Sequence, residues 1–193
     1  MKYDITRTPT RGARRTLDAF SDALMAEVQQ RAFEEVAVGV LCERAGYPRA
    51  TFYNYWDDKY DLLNYVWTRL AAQVGLDEGT SVAHDDVLLV FFGRFSDVAE
   101  CHADVIARIC RANPPQGYLL GSLRVYLGGV VRGFFDRCAA TGHAACLPVP
   151  CELVAEHLTN TVLLVLEWRF VRGALATREE AERCLGYLAG QLA

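Results

Sequence analysis

The chain has 193 residues, of which 52% are hydrophobic and 23% are charged, and its formal net charge at pH 7 is -4. These values indicate one or two globular domains and exclude long disordered tracts. Charged residues interrupt the most apolar segments, and the basic first fifteen residues have no apolar stretch typical of a secretory signal. We therefore expect no membrane span and a cytoplasmic location.

Charge is distributed unevenly along the chain. Residues 1–15 contain five cations and one anion, whereas residues 71–193 contain ten cations and fourteen anions. The chain therefore has a basic arm at residues 1–15 and an acidic body at residues 71–193. Such an arm is usually a solvated tail, but directly before a DNA-binding motif it is typical of segments that contact phosphates.

Helical periodicity dominates the sequence, and no alternating strand with a hairpin turn is apparent, so the predicted fold class is all-α. Apolar stripes predict a first helix at about residues 14–31 and a second, short helix that ends at Gly46, a residue suited to the positive φ of a tight turn. Pro48 is tolerated at the start of a helix and disfavours the α conformation for Tyr47, so a third helix is predicted at about residues 49–55. Two short helices joined by a glycine turn predict a helix-turn-helix, whose second member fits the major groove of DNA.

Longer helices are predicted beyond this motif. One runs from about Lys59 towards Gly75, and either Asp57 or Asp58 could cap it. The segment at residues 75–81 predicts a boundary. Four apolar-striped segments follow, at about residues 83–112, 117–140, 151–173 and 177–192. The predicted total is about nine helices.

The third predicted helix and the residue after it have four aromatic rings within five positions, 52–56. A helix of seven residues cannot bury every side, so some of these rings must face outward. Arg49 is a residue type that can donate two hydrogen bonds to guanine O6 and N7. Tyrosine hydroxyls can bond phosphates, and Thr51 can meet a base edge or a backbone oxygen. The chemistry of this helix therefore fits contact with duplex DNA, although all four rings could also belong to the core.

A dozen residues in register over some fifty positions resemble the TetR family of transcriptional regulators, also called the TetR/AcrR family. They follow an arginine-rich start to the first helix and are Phe33, Val38, Leu41, Ala45, Gly46, Thr51, Phe52, Tyr53, Trp56, Lys59, Leu62 and Leu63. The C-terminal part resembles the family's last two helices more weakly. The resemblance implies an arm and helix-turn-helix DNA-binding domain at residues 1–58 and a helical effector-binding and dimerisation domain at residues 59–193.

The resemblance also implies roles for individual residues of the DNA-binding domain. Phe52 and Trp56 are expected in the core. The expected DNA contacts are Arg49, Thr51, Tyr53, Tyr55, Lys59, Arg14 and Arg15, with Lys59 on a phosphate. Two departures from the family pattern concern the same region. Pro48 stands where the family usually has a serine cap, and the acidic pair Asp57 and Asp58 lies close to the expected phosphates.

For the second domain the resemblance implies an effector pocket and a dimer interface. Candidate walls and charged anchors of the pocket are Trp67, Phe91, Phe92, Phe95, Tyr118, Arg124, Tyr126, Arg132 and Phe134, each of which also fits an ordinary core or a solvated arginine. Candidate interface residues are Leu158, Val162, Val165, Leu166 and Trp168, and a core role within the subunit is equally consistent with each. The implied partners are a double-stranded DNA operator, a second copy of the chain and an unidentified small-molecule effector, with no membrane partner.

The predicted function is a DNA-binding transcriptional regulator, in the family most often a repressor that binds a palindromic operator as a homodimer and is released by its effector. No nucleophile motif, phosphate loop or paired-histidine motif indicates an enzyme, and we expect no cofactor and no metal. The alternative is a cysteine-based redox or metal-responsive regulator, because Cys138, His143, Cys146 and Cys151 lie within fourteen residues. Their spacing matches no standard zinc site. A helix-turn-helix used for protein contacts is a third possibility.

Overall fold

The computed structural model describes residues 8–73, 87–140 and 149–190, apart from the side chains of residues 73, 87–89, 91, 134 and 137–140. Within these ranges the chain forms nine α-helices and no strand, so the predicted all-α class is confirmed. The chain divides into two compact units. We call Met1–Leu70 with Arg108–Leu120 the N-terminal unit, and Ala71–Ala107 with Gly121–Ala193 the C-terminal unit.

The first four helices all begin in the N-terminal unit: α1 (Arg11–Glu27), α2 (Val38–Ala45), α3 (Arg49–Tyr53) and α4 (Lys59–Gln73). Helix α1 starts three residues earlier than predicted, because the Thr10 hydroxyl caps it by accepting a hydrogen bond from the Ala13 amide at 3.3 Å. Gly46 ends α2 at φ 73°, the left-handed conformation expected from its position. A 3₁₀ turn at Phe33–Glu35 lies between α1 and α2.

The core of the N-terminal unit is built around Phe20 of α1. Its ring meets the rings of Phe52 and Trp56 edge to face, with both pairs of centroids 5.4 Å apart. These three side chains have no solvent exposure, and Leu24 and Leu62 are equally buried. Aromatic contacts of this geometry stabilise a small domain beyond the burial of apolar area.

The later helices are α5 (Val87–Cys101), α6 (Ala103–Ala112), α7 (Tyr118–Ala140), α8 (Cys151–Leu166) and α9 (Arg178–Ala189). The segment predicted as one helix at residues 83–112 is interrupted at His102, which separates α5 from α6. A π-helical turn at Glu167–Val171 follows α8 directly. Periodicity alone did not reveal it, because a π turn keeps the helical direction of the chain.

The core of the C-terminal unit joins α5, α8 and α9. Phe92 packs with Val162 and Val165 of α8 and with Ala181 and Leu185 of α9. Thr177 caps α9 through a capping box, since its side chain accepts from the Glu180 amide and the Glu180 carboxylate accepts from the Thr177 amide. Within the described ranges no helix is long and apolar enough to cross a membrane.

Candidate nucleic-acid interface

Helix α3 is held between two defined ends. Pro48 precedes it in an extended conformation, with φ -70° and ψ 156°, and supplies no side-chain cap. The helix starts at Arg49 as predicted, because the fixed φ of proline suits the residue before or within a first turn. It ends at Tyr53, two residues before the predicted end, where the Asn54 amide closes the last turn on the Ala50 and Thr51 carbonyls.

The inward face of α3 is aromatic. Phe52 of α3 and Trp56, three residues after its end, are fully buried, as expected for residues that fix the helix to its domain. Their ring centroids lie 5.4 Å apart, and the Trp56 indole also approaches Tyr65 at 6.0 Å. The Trp56 indole nitrogen is buried without a hydrogen-bond partner in the described part of the chain. Apolar contacts alone therefore hold this indole, and α3 cannot rotate without opening the core.

The outward face of α3 carries polar groups. Arg49 is exposed, Tyr53 is 52% exposed and Thr51 is half-buried. Tyr55 is also half-buried, with its ring 5.4 Å from Trp56. The two arginines expected to reach DNA from α1, Arg14 and Arg15, are exposed as well. Arginine, threonine and tyrosine donors on one short helix are the groups that bind base edges and phosphates.

The Arg49 side chain lies over α2. A methyl group built on Gly39 would be 2.7 Å from Arg49 Nη2 and 3.6 Å from Cζ, so the guanidinium rests on the bare backbone of this glycine. Cys42, one turn further along α2, is buried, and burial raises the pKa of its thiol while the positive charge of Arg49 opposes that rise. The glycine therefore lets the guanidinium lie against the helix that precedes α3.

Lys59 is placed differently from the predicted phosphate contact. Its ammonium donates to the carbonyl oxygens of Phe33 at 2.9 Å, Glu34 at 2.7 Å and Val36 at 2.9 Å. An ammonium has three hydrogens, so these bonds use all of them. Burial lowers the pKa of Lys59, and the carboxylates of Glu34 and Asp58 partly counter this. In this structure the Lys59 ammonium thus donates hydrogen bonds to the protein's own backbone.

The acidic pair before α4 has a local explanation. The Asp58 carboxylate accepts hydrogen bonds from the amides of Tyr60 at 2.8 Å and Asp61 at 3.0 Å. Asp61 in turn accepts from the Asp57 amide at 3.0 Å. These bonds satisfy backbone donors that the start of a helix leaves unpaired. Of the two predicted caps, Asp58 fills the role.

Comparison with known proteins adds to this geometry. Residues 21–66, which run from within α1 through α2 and α3 into α4, match the family described as bacterial regulatory proteins, tetR family. Residues 21–66 are therefore similar to the N-terminal region of the tetR family of bacterial regulatory proteins. The resemblance drawn from the sequence is thereby confirmed over the helix-turn-helix.

The fold of the chain also resembles that of a solved structure. A protein from Syntrophomonas wolfei str. Goettingen, assigned to the TetR-family transcriptional regulators, superposes with a TM-score of 0.65 at 15% sequence identity. The match covers 93% of this chain and 95% of that one, so it shows a shared fold over nearly the whole length. No curated protein matches the sequence.

The predicted pocket residues belong to both units of the chain. Trp67 is buried, and Phe92 lies in the core of the C-terminal unit. Phe95 and Tyr126 are partly buried there, whereas Arg124 and Arg132 are exposed. Tyr118 belongs to the N-terminal unit, where its ring stacks on Phe33 at 5.6 Å. The side chains of Phe91 and Phe134 lie outside the described part. The pocket therefore stays a prediction.

The predicted interface residues divide into two groups. Val162 and Val165 are only 5% and 2% exposed within a single subunit, so they belong to its own core, the alternative that the sequence left open. Leu158 and Leu166 are partly buried against core clusters. Trp168 is 41% exposed. Of the five residues, Trp168 has the most apolar surface available to a second subunit.

The cysteine alternative gains no support from the described residues. They contain no group of three or more histidine, cysteine, aspartate or glutamate side chains that could hold a metal ion. Cys151 is a free, half-buried thiol at the start of α8. The Cys138 side chain, His143 and Cys146 lie outside the described part of the chain.

Two polar residues of the N-terminal unit were missed from the sequence. Glu27 is 1% exposed, and its carboxylate lies 2.7 Å from Arg44 of α2 and 3.1 Å from Arg31, so it ties α1 to α2. Asn113 is also 1% exposed and contacts residues about 80 positions away. Nothing in its local sequence, which predicts a loop, could have revealed those contacts.

Proposed function

We propose that this regulator represses transcription by binding a palindromic DNA operator as a homodimer, and that a small-molecule effector releases it. The observation that carries the proposal is the division of α3 into two faces. Phe52 and Trp56 are fully buried, whereas the neighbouring Arg49 and Tyr53 are exposed. Because buried rings fix the helix, the exposed groups project from a rigid support, as recognition requires.

Arg49 is the proposed base-reading residue. Its side chain is exposed, and its guanidinium lies over Gly39 of α2, so a change of side-chain rotamer would direct it to a base edge. Tyr53 and Thr51 supply hydroxyl groups on the same helix, and Arg14 and Arg15 supply charges from α1 for phosphates. One helix-turn-helix contacts few base pairs, so specificity across a genome calls for two copies on a symmetric site.

An apolar stripe on the C-terminal unit supports the homodimer. Leu153, Leu164, Trp168 and Val171 are 57%, 45%, 41% and 45% exposed and follow each other at helical spacing along α8 and the π turn. Tyr187 and Leu188 of α9 are 70% and 39% exposed. Large apolar patches on a soluble chain mark contact surfaces. The proposed partner of this stripe is the same stripe on a second subunit.

Helix α4 supports a link between effector and DNA. It begins at Lys59 in the N-terminal unit, and its last residues, from Ala71, belong to the C-terminal unit. An effector that favours one position of this helix over another would change the separation of the two reading helices. A coupling free energy of about 1 to 3 kcal/mol would lower operator affinity roughly 5- to 150-fold.

The first experiment is a gel-shift titration of the purified protein against DNA fragments from upstream of its own coding sequence, with random duplex as competitor. We expect one fragment to be retained at competitor concentrations that remove the rest, with two chains per site. The Arg49→Ala variant is the matched control. Equal retention of all fragments by the wild-type protein and the variant would contradict sequence-specific binding through α3.

A further inference from the structure

The connection between α1 and α2, residues 28–37, has backbone groups that its own side chains do not satisfy. Ala32 precedes the 3₁₀ turn and Ala37 precedes α2, and neither can cap with a side chain. Phe33, in the middle of the connection, is fully buried. A buried amide or carbonyl without a partner is costly, so partners must come from elsewhere in the chain.

Lys59 supplies partners from the start of α4. Its three hydrogen bonds to the carbonyls of Phe33, Glu34 and Val36 span the whole 3₁₀ turn. The ammonium also lies 4.9 Å from the centroid of the Phe33 ring and 5.6 Å from that of Tyr60, within range for cation–π attraction. The Lys59 ammonium therefore attaches the 3₁₀ turn to the start of α4.

Asn113, just after α6, supplies partners on the other side. Its side-chain oxygen accepts from the Phe33 amide at 2.9 Å, and its side-chain nitrogen donates to the Val28 carbonyl at 2.7 Å and the Ile109 carbonyl at 2.9 Å. Nearby, the Glu34 carboxylate accepts from the Tyr118 amide at 2.7 Å. Both polar backbone groups of Phe33 are thus held by distant side chains, the carbonyl by Lys59 and the amide by Asn113.

We propose that Lys59 and Asn113 form a polar clamp on Phe33 that positions α2 and α3 for DNA binding, with neither side chain contacting DNA. The clamp ends at Val36, two residues before α2 begins, and α2 leads through Gly46 directly to α3. A shift of this turn therefore moves the helix that carries Arg49. The inference rests on the proposed DNA-binding function and replaces the phosphate contact expected of Lys59.

The test is a double-mutant cycle measured on a random 30-base-pair duplex over a range of salt concentrations. The variants are Lys59→Met, which keeps the aliphatic stem, Asn113→Leu, which keeps the approximate shape, and the two combined. We expect each single variant to bind DNA at least about fivefold more weakly than the wild type. The double variant should lose less affinity than the product of the two single losses, since both substitutions act on Phe33. The slope of log affinity against log salt should equal that of the wild type.

A direct phosphate contact gives a different result. Loss of one such contact by Lys59→Met would reduce the salt slope by about 0.9, and that outcome would overturn the proposal. Independent, multiplying effects of the two substitutions would also overturn it. If Asn113→Leu does not fold, Asn113→Ala takes its place, because it also removes the acceptor of the Phe33 amide and adds no bulk.

Two controls separate the clamp from general stability and from the proposed function. Val131→Ala leaves a cavity in a core cluster of the C-terminal unit, so it should lower the melting temperature and leave DNA affinity unchanged. Amide hydrogen exchange should show faster exchange at Phe33 in Asn113→Leu, even without DNA. If the wild-type protein bound no duplex, the proposed function would fail, whereas unchanged exchange at Phe33 would refute the clamp itself.

Discussion

The two units of the chain differ in what they expose. Among the described residues, the large hydrophobic side chains exposed on the N-terminal unit are all tyrosines: Tyr53, Tyr60 and Tyr118. Those exposed on the C-terminal unit are mainly aliphatic, and they cluster on α8 and α9. Tyrosine has a hydroxyl that water or a phosphate can bond, whereas leucine and valine have none. The first surface thus suits a polar partner, and the second suits an apolar one.

This difference fits a division of labour. The N-terminal unit closes its aromatic core within one subunit and leaves polar groups outside, as a DNA-reading surface requires. The C-terminal unit leaves apolar area uncovered after its own core is complete, as a surface that associates with another copy would. Substitutions on each surface can test whether the comparison holds.

The largest effect is expected from Phe52→Ala on the buried face of α3. Deleting a fully buried phenyl ring should lower the free energy of unfolding by about 3 to 5 kcal/mol, measured by urea denaturation. The adjacent Tyr53→Ala removes an exposed ring and should cost less than about 1 kcal/mol in stability while weakening DNA binding. Equal stability losses would mean that α3 does not have distinct inner and outer faces.

Leu164→Arg tests the apolar stripe of α8. A charge placed in the middle of a subunit interface would be buried without a partner, so we expect dimer affinity to fall at least about a hundredfold. Sedimentation velocity or light scattering would measure the change. The matched control is Val125→Arg on α7, which is 78% exposed and lies outside the stripe. Dissociation by the control and not by Leu164→Arg would place the interface elsewhere.

Arg49→Ala tests base reading on the N-terminal unit. We expect a loss of about 1 to 3 kcal/mol at the specific operator and a relaxed sequence preference, with little change in binding to random duplex. Quantitative gel shifts with matched and mutated operators would measure both. An unchanged affinity for the operator would refute the role of this arginine.

The smallest expected effect is the contribution of Glu34 to the pH dependence of folding stability. Its hydrogen bond from the Tyr118 amide is the main cause that lowers the pKa of this carboxyl, with Lys59 adding to it. The carboxylate therefore stabilises the fold above the pKa of the unfolded chain, and this contribution is lost as pH falls through the lower, folded pKa. Since Glu34 is exposed, the effect should be below about 1 kcal/mol.

Thermal unfolding of the wild type and Glu34→Gln between pH 3 and 7 would measure it. The stability difference between the two proteins should be present at neutral pH and shrink as the solution becomes acidic. A difference that grows with acidity would show that the carboxyl is not stabilised in its charged form.

Local patterns predicted the helix-turn-helix closely. Rules that act within a few residues predict the turn at Gly46 and the start of a new helix after Pro48. They also predict the burial of Phe52 and Trp56. Features that depend on distant neighbours were not predictable. Packing between segments far apart in the chain produces the burial of Val162 and Val165 in their own subunit and the contacts of Asn113.

Sequence alone thus determined the helical class, the resemblance to the tetR family over the helix-turn-helix, and the buried and exposed sides of α3, because periodicity, capping and turn chemistry operate over one or two turns. Tertiary structure alone decided that Lys59 bonds three carbonyls of the chain and that Asn113 bonds Phe33. A buried polar group takes whichever partner the fold brings within 3 Å, and no local pattern records which one that is.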